Sequence, residues 1–307
     1  MPELPDITIY LEALEKRILG HTLHCVRIAG PFLLRTATPP IDSMQGHKVL
    51  ELRRVGKRIA LGFDNCHWLV FHLMIAGRLH WKAKPVDPDG RRTLATFQFD
   101  NGTLTLTEAG SQKRASLHVF PNDDAMRTID PGGLEVLSAT LEQFASTLTS
   151  ENHTLKRALT DPHLFSGIGN AYSDEILFHA QLSPVQLTQR MDIQAIERFY
   201  CAVQSTLSEW IVLLRKGAGE KFPENVTAFR EEMYVHGRYG QPCKKCGTKI
   251  QRIRYASNET NYCPTCQTGG KLLADRALSR LLREDWPRSL DEMDDYLASK
   301  RATLAKS

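Results

Sequence analysis

Apolar positions near the start of the chain repeat with the period of a helix. They recur every three or four residues between Leu4 and Gly20, which predicts an amphipathic helix that ends at that glycine. The positions are Ile7, Leu11, Leu14 and Ile18. The chain is therefore expected to enter its first helix within a few residues of Pro2.

The next hundred residues change to short runs that are rich in β-branched and aromatic side chains. Such runs predict strands over residues 48–54, 58–63, 68–73, 94–99 and 103–107. Asp100-Asn101-Gly102 joins the last two strands and is typical of a hairpin turn. This half is expected to be an antiparallel β-sandwich or barrel headed by one helix.

Helical patterns take over after Pro131-Gly132-Gly133. Turn residues separate predicted helices near residues 141–149, 154–160, 171–181 and 192–216. Residues 221–233 form a polar connection without a clear period. We predict an N-terminal domain over 1–133, a helical domain over 134–222, a cysteine-rich module over 234–267 and a C-terminal helical extension over 268–307.

Composition places the chain among ordinary globular proteins. Its 307 residues are 42% apolar and 24% charged, which suits two domains. A net charge of +4 allows a polyanionic partner without requiring one. Long apolar runs are lacking, and Glu3 and Asp6 lie where a signal peptide would be basic, so we expect a soluble, intracellular protein without a membrane partner.

Four of the seven cysteines fall in two close pairs. Cys243-x2-Cys246 and Cys263-x2-Cys266 have the spacing of a tetrahedral zinc ribbon. Four thiolates leave no open position for water, so the predicted single Zn²⁺ is structural; an iron–sulfur or redox site is the alternative. The basic residues of the intervening segment suit either a solvated face or a phosphate-binding surface. They are Lys244, Lys245, Lys249, Arg252 and Arg254.

The first residues carry candidate chemistry. If Met1 is removed, Pro2 exposes a secondary amine with a pKa of about 7.7–8.0, which is partly unprotonated at neutral pH and can attack an electrophilic carbon. Glu3 is placed to move protons for that attack. The alternative is an ordinary chain terminus without a chemical role.

Further candidates for phosphate binding lie along the chain. Gly167-Ile168-Gly169-Asn170 opens a predicted helix, where backbone amides and the helix dipole favour an anion, although a simple turn and cap explain the same residues. Basic residues also flank Gly56 and follow the 100–102 hairpin, and exposed turns are their default interpretation. They are Arg53, Arg54, Lys57, Arg58, Lys113 and Arg114.

Taken together, these motifs resemble the formamidopyrimidine-DNA glycosylase and endonuclease VIII family over roughly residues 1–267. The resemblance rests on Pro2-Glu3-Leu4-Pro5, Lys57 after a strand, the 167–170 turn and the four cysteines. It implies an α+β multidomain fold: an antiparallel β-sandwich headed by a helix, a helix–two-turn–helix domain and a zinc finger. Damaged DNA, expected to be double-stranded, is the implied partner of a monomeric enzyme located in the cytoplasm, with the nucleoid if the source is bacterial.

The resemblance also implies roles for particular residues. Pro2 attacks the sugar C1′ of a flipped nucleotide, Glu3 handles the ring-oxygen proton, and the resulting iminium permits β,δ-elimination, as in a bifunctional glycosylase and abasic-site lyase of base excision repair. Lys57 is the third implied catalytic residue and lies near the base and phosphates. The implied DNA contacts are Asn170, Lys113, Arg114, Met74, Ile75, Arg252 and Arg254.

This sequence departs from the family pattern at several positions. Asn258 stands where a phosphate-binding arginine is usual, and Arg252 or Arg254 is the candidate replacement. Met74-Ile75 replaces Gly-Met, so either residue is a candidate apolar wedge. The 113–114 loop lacks the usual Arg-Arg-Phe-Gly, and Asp6 replaces a common glutamate. Two alternatives stay open: a non-catalytic damaged-DNA-binding protein, and a lyase that acts only on abasic sites.

Overall fold

A computed structural model describes residues 1–110, 112–224, 226–255, 258–274, 287, 289–293, 295–296 and 298. The chain divides into two compact units. Unit 1 comprises Met1–Leu137, Pro162–Ile168 and Leu207–Ala228, and unit 2 comprises Ser138–Asp161, Gly169–Thr206 and Phe229–Ser307. Within the described ranges, no helix combines the length and the apolar character that crossing a bilayer requires.

Unit 1 is a two-layer sandwich of antiparallel strands with one leading helix. The first sheet has the order β1-β6-β7-β5 and the second the order β2-β3-β4-β8. The elements are α1 (Leu4–Ile18), β1 (Leu23–Ile28), β2 (Val49–Val55), β3 (Arg58–Phe63), β4 (Trp68–His72), β5 (Gly77–Lys82), β6 (Thr93–Phe99), β7 (Gly102–Glu108), β8 (Ser116–Phe120) and α2 (Asp123–Arg127).

The core of unit 1 lies between the two sheets and beneath α1. Phe71 on β4 and Phe97 on β6 meet edge to face at 5.0 Å, so the inner faces of the two sheets pack directly. The apolar stripe of α1 covers one side of this core, as the helical spacing predicted. The stripe contributes Ile7, Tyr10, Leu14 and Ile18.

The hairpin between β6 and β7 differs in detail from the Asn-Gly turn that the sequence suggests. Phe99 pairs with Gly102, so Asp100 and Asn101 form the two-residue loop and the glycine already belongs to the strand. Gly102 is required by packing instead, because a Cβ there would lie 2.4 Å from Cζ2 of Trp81.

Unit 2 is helical around a core that includes the edge-to-face pair Phe144 and Phe199, whose ring centroids are 5.6 Å apart. Thr140 caps α3 by accepting a hydrogen bond from the Gln143 N–H at 3.2 Å. The remaining elements of the chain are α3 (Leu141–Thr149), α4 (Leu155–Thr160), α5 (Asn170–His179), α6 (Ile193–Ala218), β9 (Gln251–Tyr255), β10 (Asn258–Tyr262) and α7 (Pro264–Thr268), and α6 crosses the unit boundary after Thr206.

The cysteine-rich module packs on α5. Phe178 near the end of that helix stacks with Tyr234 at 5.2 Å, and both contact the apolar base of the module. Strands β9 and β10 form the antiparallel hairpin expected between the two cysteine pairs. Most of the predicted C-terminal helices lie outside the described residues.

Candidate active site and zinc centre

The N-terminal residues of unit 1 are fixed by buried hydrogen bonds. The N–H of Glu3 donates to the Asp6 carboxylate at 3.0 Å, and the N–H of Leu4 donates to the carbonyl of Gly167 at 2.9 Å. Glu3 and Asp6 are each only 2% exposed, and Pro2 is buried. The aspartate that replaces the usual glutamate thus caps the first turn of α1.

Four charged groups surround the N-terminal amine. Burial is the main cause that lowers the pKa of the Met1 amine; Glu3 and Asp6 oppose the shift, whereas Arg78 and Lys57 add to it. The amine is therefore more often unprotonated at neutral pH than an exposed terminus. An unprotonated amine beside a buried carboxyl is the arrangement that nucleophilic attack with proton transfer requires.

Lys57 lies in the two-residue turn between β2 and β3. Val55 pairs with Arg58, and Gly56 has φ +59°, which suits glycine. Arg54, with 15% side-chain exposure, braces the turn by donating to the carbonyl of Gly56 at 2.9 Å. The turn is therefore held in place rather than merely solvated.

The other arginines of this cluster are also engaged with protein groups. Arg53 pairs with Glu51 and Asp123, and Arg58 donates to the carbonyl of Ile129 at 3.2 Å. The interpretation of this cluster as an exposed basic turn holds only in part, because Arg58 is half-buried by strand pairing whereas the Arg53 side chain is 33% exposed.

The turn between β4 and β5 presents the two candidate wedge residues differently. Met74 is half-buried with φ +51°, whereas Ile75 is 60% exposed. The N–H of Gly77 donates to the carbonyl of Leu73 at 2.8 Å, and a Cβ on this glycine would lie 2.3 Å from the same oxygen. The turn is therefore closed tightly, with Ile75 as its exposed apolar residue.

The loop that follows β7 is organised by a buried carboxylate. Glu108, 2% exposed, accepts hydrogen bonds from the N–H groups of Arg114 at 2.9 Å and Ala115 at 3.1 Å. The ammonium of Lys113 donates to the carbonyl of the same glutamate. Lys113 and Arg114 remain exposed at the surface of this loop.

A basic cluster lies on the outer face of the second sheet and was not predicted from the sequence. Arg58, His72 and Ser116 share one register row, and His118 lies two rows away, on the same face of the sheet. Burial, followed by the charges of Arg58, His118 and Lys57, lowers the pKa of His72 to about 4. His72 is therefore neutral at pH 7, and only the pairing of β3, β4 and β8 reveals the cluster.

In unit 2, a buried ionic network lies beneath the start of α5. Asp174, fully buried, accepts from the Lys156 ammonium at 2.5 Å and pairs with Nδ1 of His236 at 2.8 Å. Lys156 also donates to the carbonyl of Asn170 at 2.7 Å, and the N–H of Asn261 donates to Asp174 at 3.1 Å. The network therefore ties α4 and α5 to the hairpin strand β10.

The predicted phosphate-binding asparagine is held by the same hairpin. Gly169 is the N-cap of α5, and the side-chain amide of Asn170 donates to the carbonyl of Glu259 at 2.9 Å. An amide group carries two N–H donors, so one donor remains for a ligand. The hairpin thereby orients Asn170.

The two candidate arginines of the hairpin differ in their surroundings. Arg252 lies over the ring of Tyr239 at 4.0 Å and pairs with Glu259, and its side chain is 27% exposed. Arg254 is 62% exposed. The side chain of Asn258 lies outside the described part of the structure.

The four cysteines fit a tetrahedral metal ion. Their sulfur atoms all lie within 4.8 Å of one another, with Cys243 to Cys266 at 4.0 Å and Cys246 to Cys263 at 3.5 Å. Zn–S bonds of about 2.3 Å in a tetrahedron place the sulfur atoms about 3.8 Å apart, so the set suits Zn²⁺. Four thiolates fill the coordination sphere, which makes the ion structural.

Comparison with family models decides the relationship. The formamidopyrimidine-DNA glycosylase N-terminal domain matches residues 1–111, the formamidopyrimidine-DNA glycosylase H2TH domain matches residues 133–220, and the zinc finger found in FPG and IleRS matches residues 240–269. The chain belongs to the formamidopyrimidine-DNA glycosylase family. It is therefore a DNA glycosylase of base excision repair, in a family whose enzymes are also abasic-site lyases.

Similar proteins of this family are matched over nearly their whole length. The formamidopyrimidine-DNA glycosylase of Heliobacterium modesticaldum is 31% identical over 281 residues, 87% of this chain and 100% of that protein. The Bacillus cereus protein is 30% identical over 283 residues, 87% of this chain and 99% of that protein.

Solved structures of the family share the fold. MutM (Fpg) of Thermus thermophilus is 28% identical with a TM-score of 0.72, covering 87% of this chain and 98% of that one. Lactococcus lactis Fpg, in complex with DNA containing an oxidised pyrimidine, is 24% identical with a TM-score of 0.77. The match covers 87% of this chain and 100% of that chain. The predicted fold class and the single structural zinc are confirmed.

Proposed function

We propose that this glycosylase uses the amine of Pro2, exposed after removal of Met1, as the nucleophile that attacks C1′ of a damaged nucleotide. The observation that carries the proposal is the start of the chain, where Pro2 is buried beside Glu3, which is 2% exposed, and where burial lowers the pKa of the preceding Met1 amine. A neutral amine has the lone pair that attack requires.

Glu3 supplies the proton transfers in the proposed reaction. The Pro2 nitrogen bonds to C1′ as the N-glycosidic bond breaks, and the departing base takes up the proton that the amine nitrogen releases. Glu3 then protonates the ring oxygen as its bond to C1′ breaks and the sugar opens to an iminium ion. Loss of a C2′ proton then expels the 3′ phosphate, and a second elimination expels the 5′ phosphate. A secondary amine cannot lose an N–H proton from the iminium, so the electron sink persists through both steps.

The substrate proposed is duplex DNA with an oxidised base or an abasic site. The Lactococcus lactis relative is described in complex with DNA that contains Fapy-dG, an oxidised pyrimidine or an abasic site. Because the turn of residues 74–76 and the loop of residues 109–115 differ from the family pattern, we expect the preferred lesion to differ as well, which a panel of defined lesions measures. We expect the enzyme to work in the cytoplasm, where bacterial DNA lies.

The DNA contacts are proposed residue by residue. Lys57 and the remaining amide donor of Asn170 would bind backbone phosphates, and the exposed Ile75 is the better candidate for the wedge. Of the hairpin arginines, Arg254 is more exposed than Arg252 and so better placed to replace the charge missing at position 258. Lys113 and Arg114 are proposed to contact the opposite strand. The domain limits 1–133, 134–222, 234–267 and 268–307 stay predictions.

Borohydride trapping tests the proposal. Processed protein should form a covalent adduct with an abasic-site duplex, and Pro2→Ala, which replaces the secondary amine, should change the elimination products. Glu3→Gln should reduce excision of a base lesion by a factor of about 10²–10⁴, as loss of a proton-transfer group does. Wild-type protein that binds the duplex but yields neither adduct nor cleavage would support the non-catalytic alternative, and cleavage of abasic DNA alone would support the lyase-only alternative.

A further inference from the structure

Arg78, the second residue of β5, fixes the turn that presents Ile75. Its Nη1 donates to the carbonyl of Ile75 at 3.1 Å and to the carbonyl of Gly77 at 2.7 Å. One guanidinium nitrogen thus links the middle of the turn to its end. Charge-assisted bonds of this kind are stronger than neutral ones, so the turn backbone is firmly held.

The turn requires such support because its backbone is strained. Met74 has φ +51°, a left-handed conformation that non-glycine residues keep only when their surroundings impose it. The bond from Gly77 N–H to the carbonyl of Leu73 closes the turn, and Arg78 holds the carbonyl groups of Ile75 and Gly77. Without the guanidinium, Ile75 would lose its fixed direction.

Arg78 also lies close to the N-terminal amine. The N–H of Leu79, the next residue, donates to the Tyr10 hydroxyl at 3.3 Å, which joins the start of β5 to the helix that begins at the amine. Among the charges that shift the pKa of the Met1 amine, Arg78 lowers it more than Lys57 does, whereas Glu3 and Asp6 raise it. Pro2, whose amine is exposed once Met1 is removed, is the adjacent residue and is buried.

We propose that Arg78 is a positioning residue for the reaction, in which one guanidinium fixes the turn that carries Ile75 and places a positive charge beside the attacking amine. The inference rests on the proposed role of Pro2. It assigns one side chain to two steps, displacement of the base and attack on the sugar. The two contributions can be separated, because one depends on the shape of the guanidinium and the other on charge alone.

The test compares Arg78→Met and Arg78→Lys with the wild type. Two duplexes of one sequence are used, one with an oxidised base and one with a preformed abasic site, which has no base to displace. Adduct formation is measured with borohydride from pH 5.5 to 9, and base excision in single turnover at pH 7. Arg27→Met, which removes an exposed arginine of β1 that is paired with Asp87, is the matched control.

For Arg78→Met we expect both contributions to be lost. Trapping on abasic DNA should fall at pH 7 and recover at higher pH, because loss of the Arg78 charge raises the pKa of the amine and lowers its unprotonated fraction. Excision of the oxidised base should fall about ten- to a hundredfold more than abasic-site trapping, because a misplacement of about 1 Å in a positioning group reduces the rate by up to about 10²-fold. Arg78→Lys should restore the pH profile but not excision, because the shorter lysine side chain does not place its ammonium where Nη1 of Arg78 lies.

Two results would overturn the inference. One is a pH profile for Arg78→Met that superimposes on the wild type, and the other is an unchanged ratio of base excision to abasic-site trapping. Melting temperature and zinc content, measured on every variant, exclude unfolding as the cause of a loss. Wild-type protein that forms no adduct overturns the role of Pro2 and this inference together, whereas failure of Arg78 alone leaves Pro2 in place.

Discussion

Asp174→Asn is expected to destabilise unit 2 strongly because it removes a buried charge while keeping the size of the side chain. The wild-type carboxylate is fully buried and lies 2.5 Å from the ammonium of Lys156, which is itself only 8% exposed. The substitution leaves that ammonium without a counter-charge and without access to water. His236 and the Asn261 amide lose a charged acceptor at the same time.

The expected magnitude follows from the burial of both partners. Breaking a buried ion pair by removing one partner costs about 3–5 kcal/mol. Each kcal/mol lowers the melting temperature of a unit of this size by about 2–4 °C, so the variant should melt about 6–20 °C below the wild type. Asp124→Asn, which alters an exposed carboxylate, should stay within about 0.5 kcal/mol of the wild type.

Thermal unfolding of zinc-loaded protein at pH 7, followed by calorimetry, measures the effect. A double-mutant cycle with Lys156→Met adds a second criterion, since the pair of substitutions leaves no uncompensated charge between these two groups. The double variant should therefore be more stable than Asp174→Asn alone. A loss below 1 kcal/mol for the single variant, or strictly additive effects of the two substitutions, would refute the reasoning.

Three further predictions follow from other parts of the molecule. Gly102→Ala should lower the free energy of unfolding by about 1–3 kcal/mol, because the added Cβ overlaps the Trp81 ring. A urea titration measures this loss, and an unchanged urea concentration at the unfolding midpoint would contradict it. Removing zinc with a chelator should open the cysteine module to protease and weaken DNA binding, both reversed by added Zn²⁺; retained affinity would exclude the module from DNA binding. The pKa of His72 is about 4 in the folded protein and about 6.5 when unfolded, so the free energy of unfolding should fall as the pH drops from 6.5 to 4. In denaturation measured at several pH values, His72→Gln should show a weaker dependence of this free energy on pH. An unchanged pH dependence would argue against a neutral, buried His72.

The sequence predicted the interior of the sandwich better than its edges. The strands recognised from hydrophobic runs include all four central ones, β3, β4, β6 and β7. The three missed strands, β1, β5 and β8, lie at sheet edges and carry residues such as Arg27, His80 and His118. Edge strands have one neighbour and one open side, so polar residues interrupt the pattern by which a strand is recognised.

Local motifs also predicted the parts of the site that lie close together in sequence. The cysteine pairs, the Gly56-Lys57 turn and the cap of α5 each depend on a few consecutive residues. The Asp174 network joins residues up to 87 positions apart, and the basic cluster at His72 depends on strand register. Neither group of residues produces a periodic pattern in the sequence, because such contacts form only when distant segments of the chain pack together.

The most direct test of the central claim is the point of attachment of trapped DNA. After borohydride reduction on an abasic-site duplex, nuclease digestion, trypsin cleavage and mass spectrometry should place the residual sugar on the N-terminal peptide of residues 2–16, at the nitrogen of Pro2. Protein that retains Met1 should bind the same duplex and trap far less. An adduct on the ammonium of Lys57 or any other lysine, with the N-terminal peptide unmodified, would contradict the account.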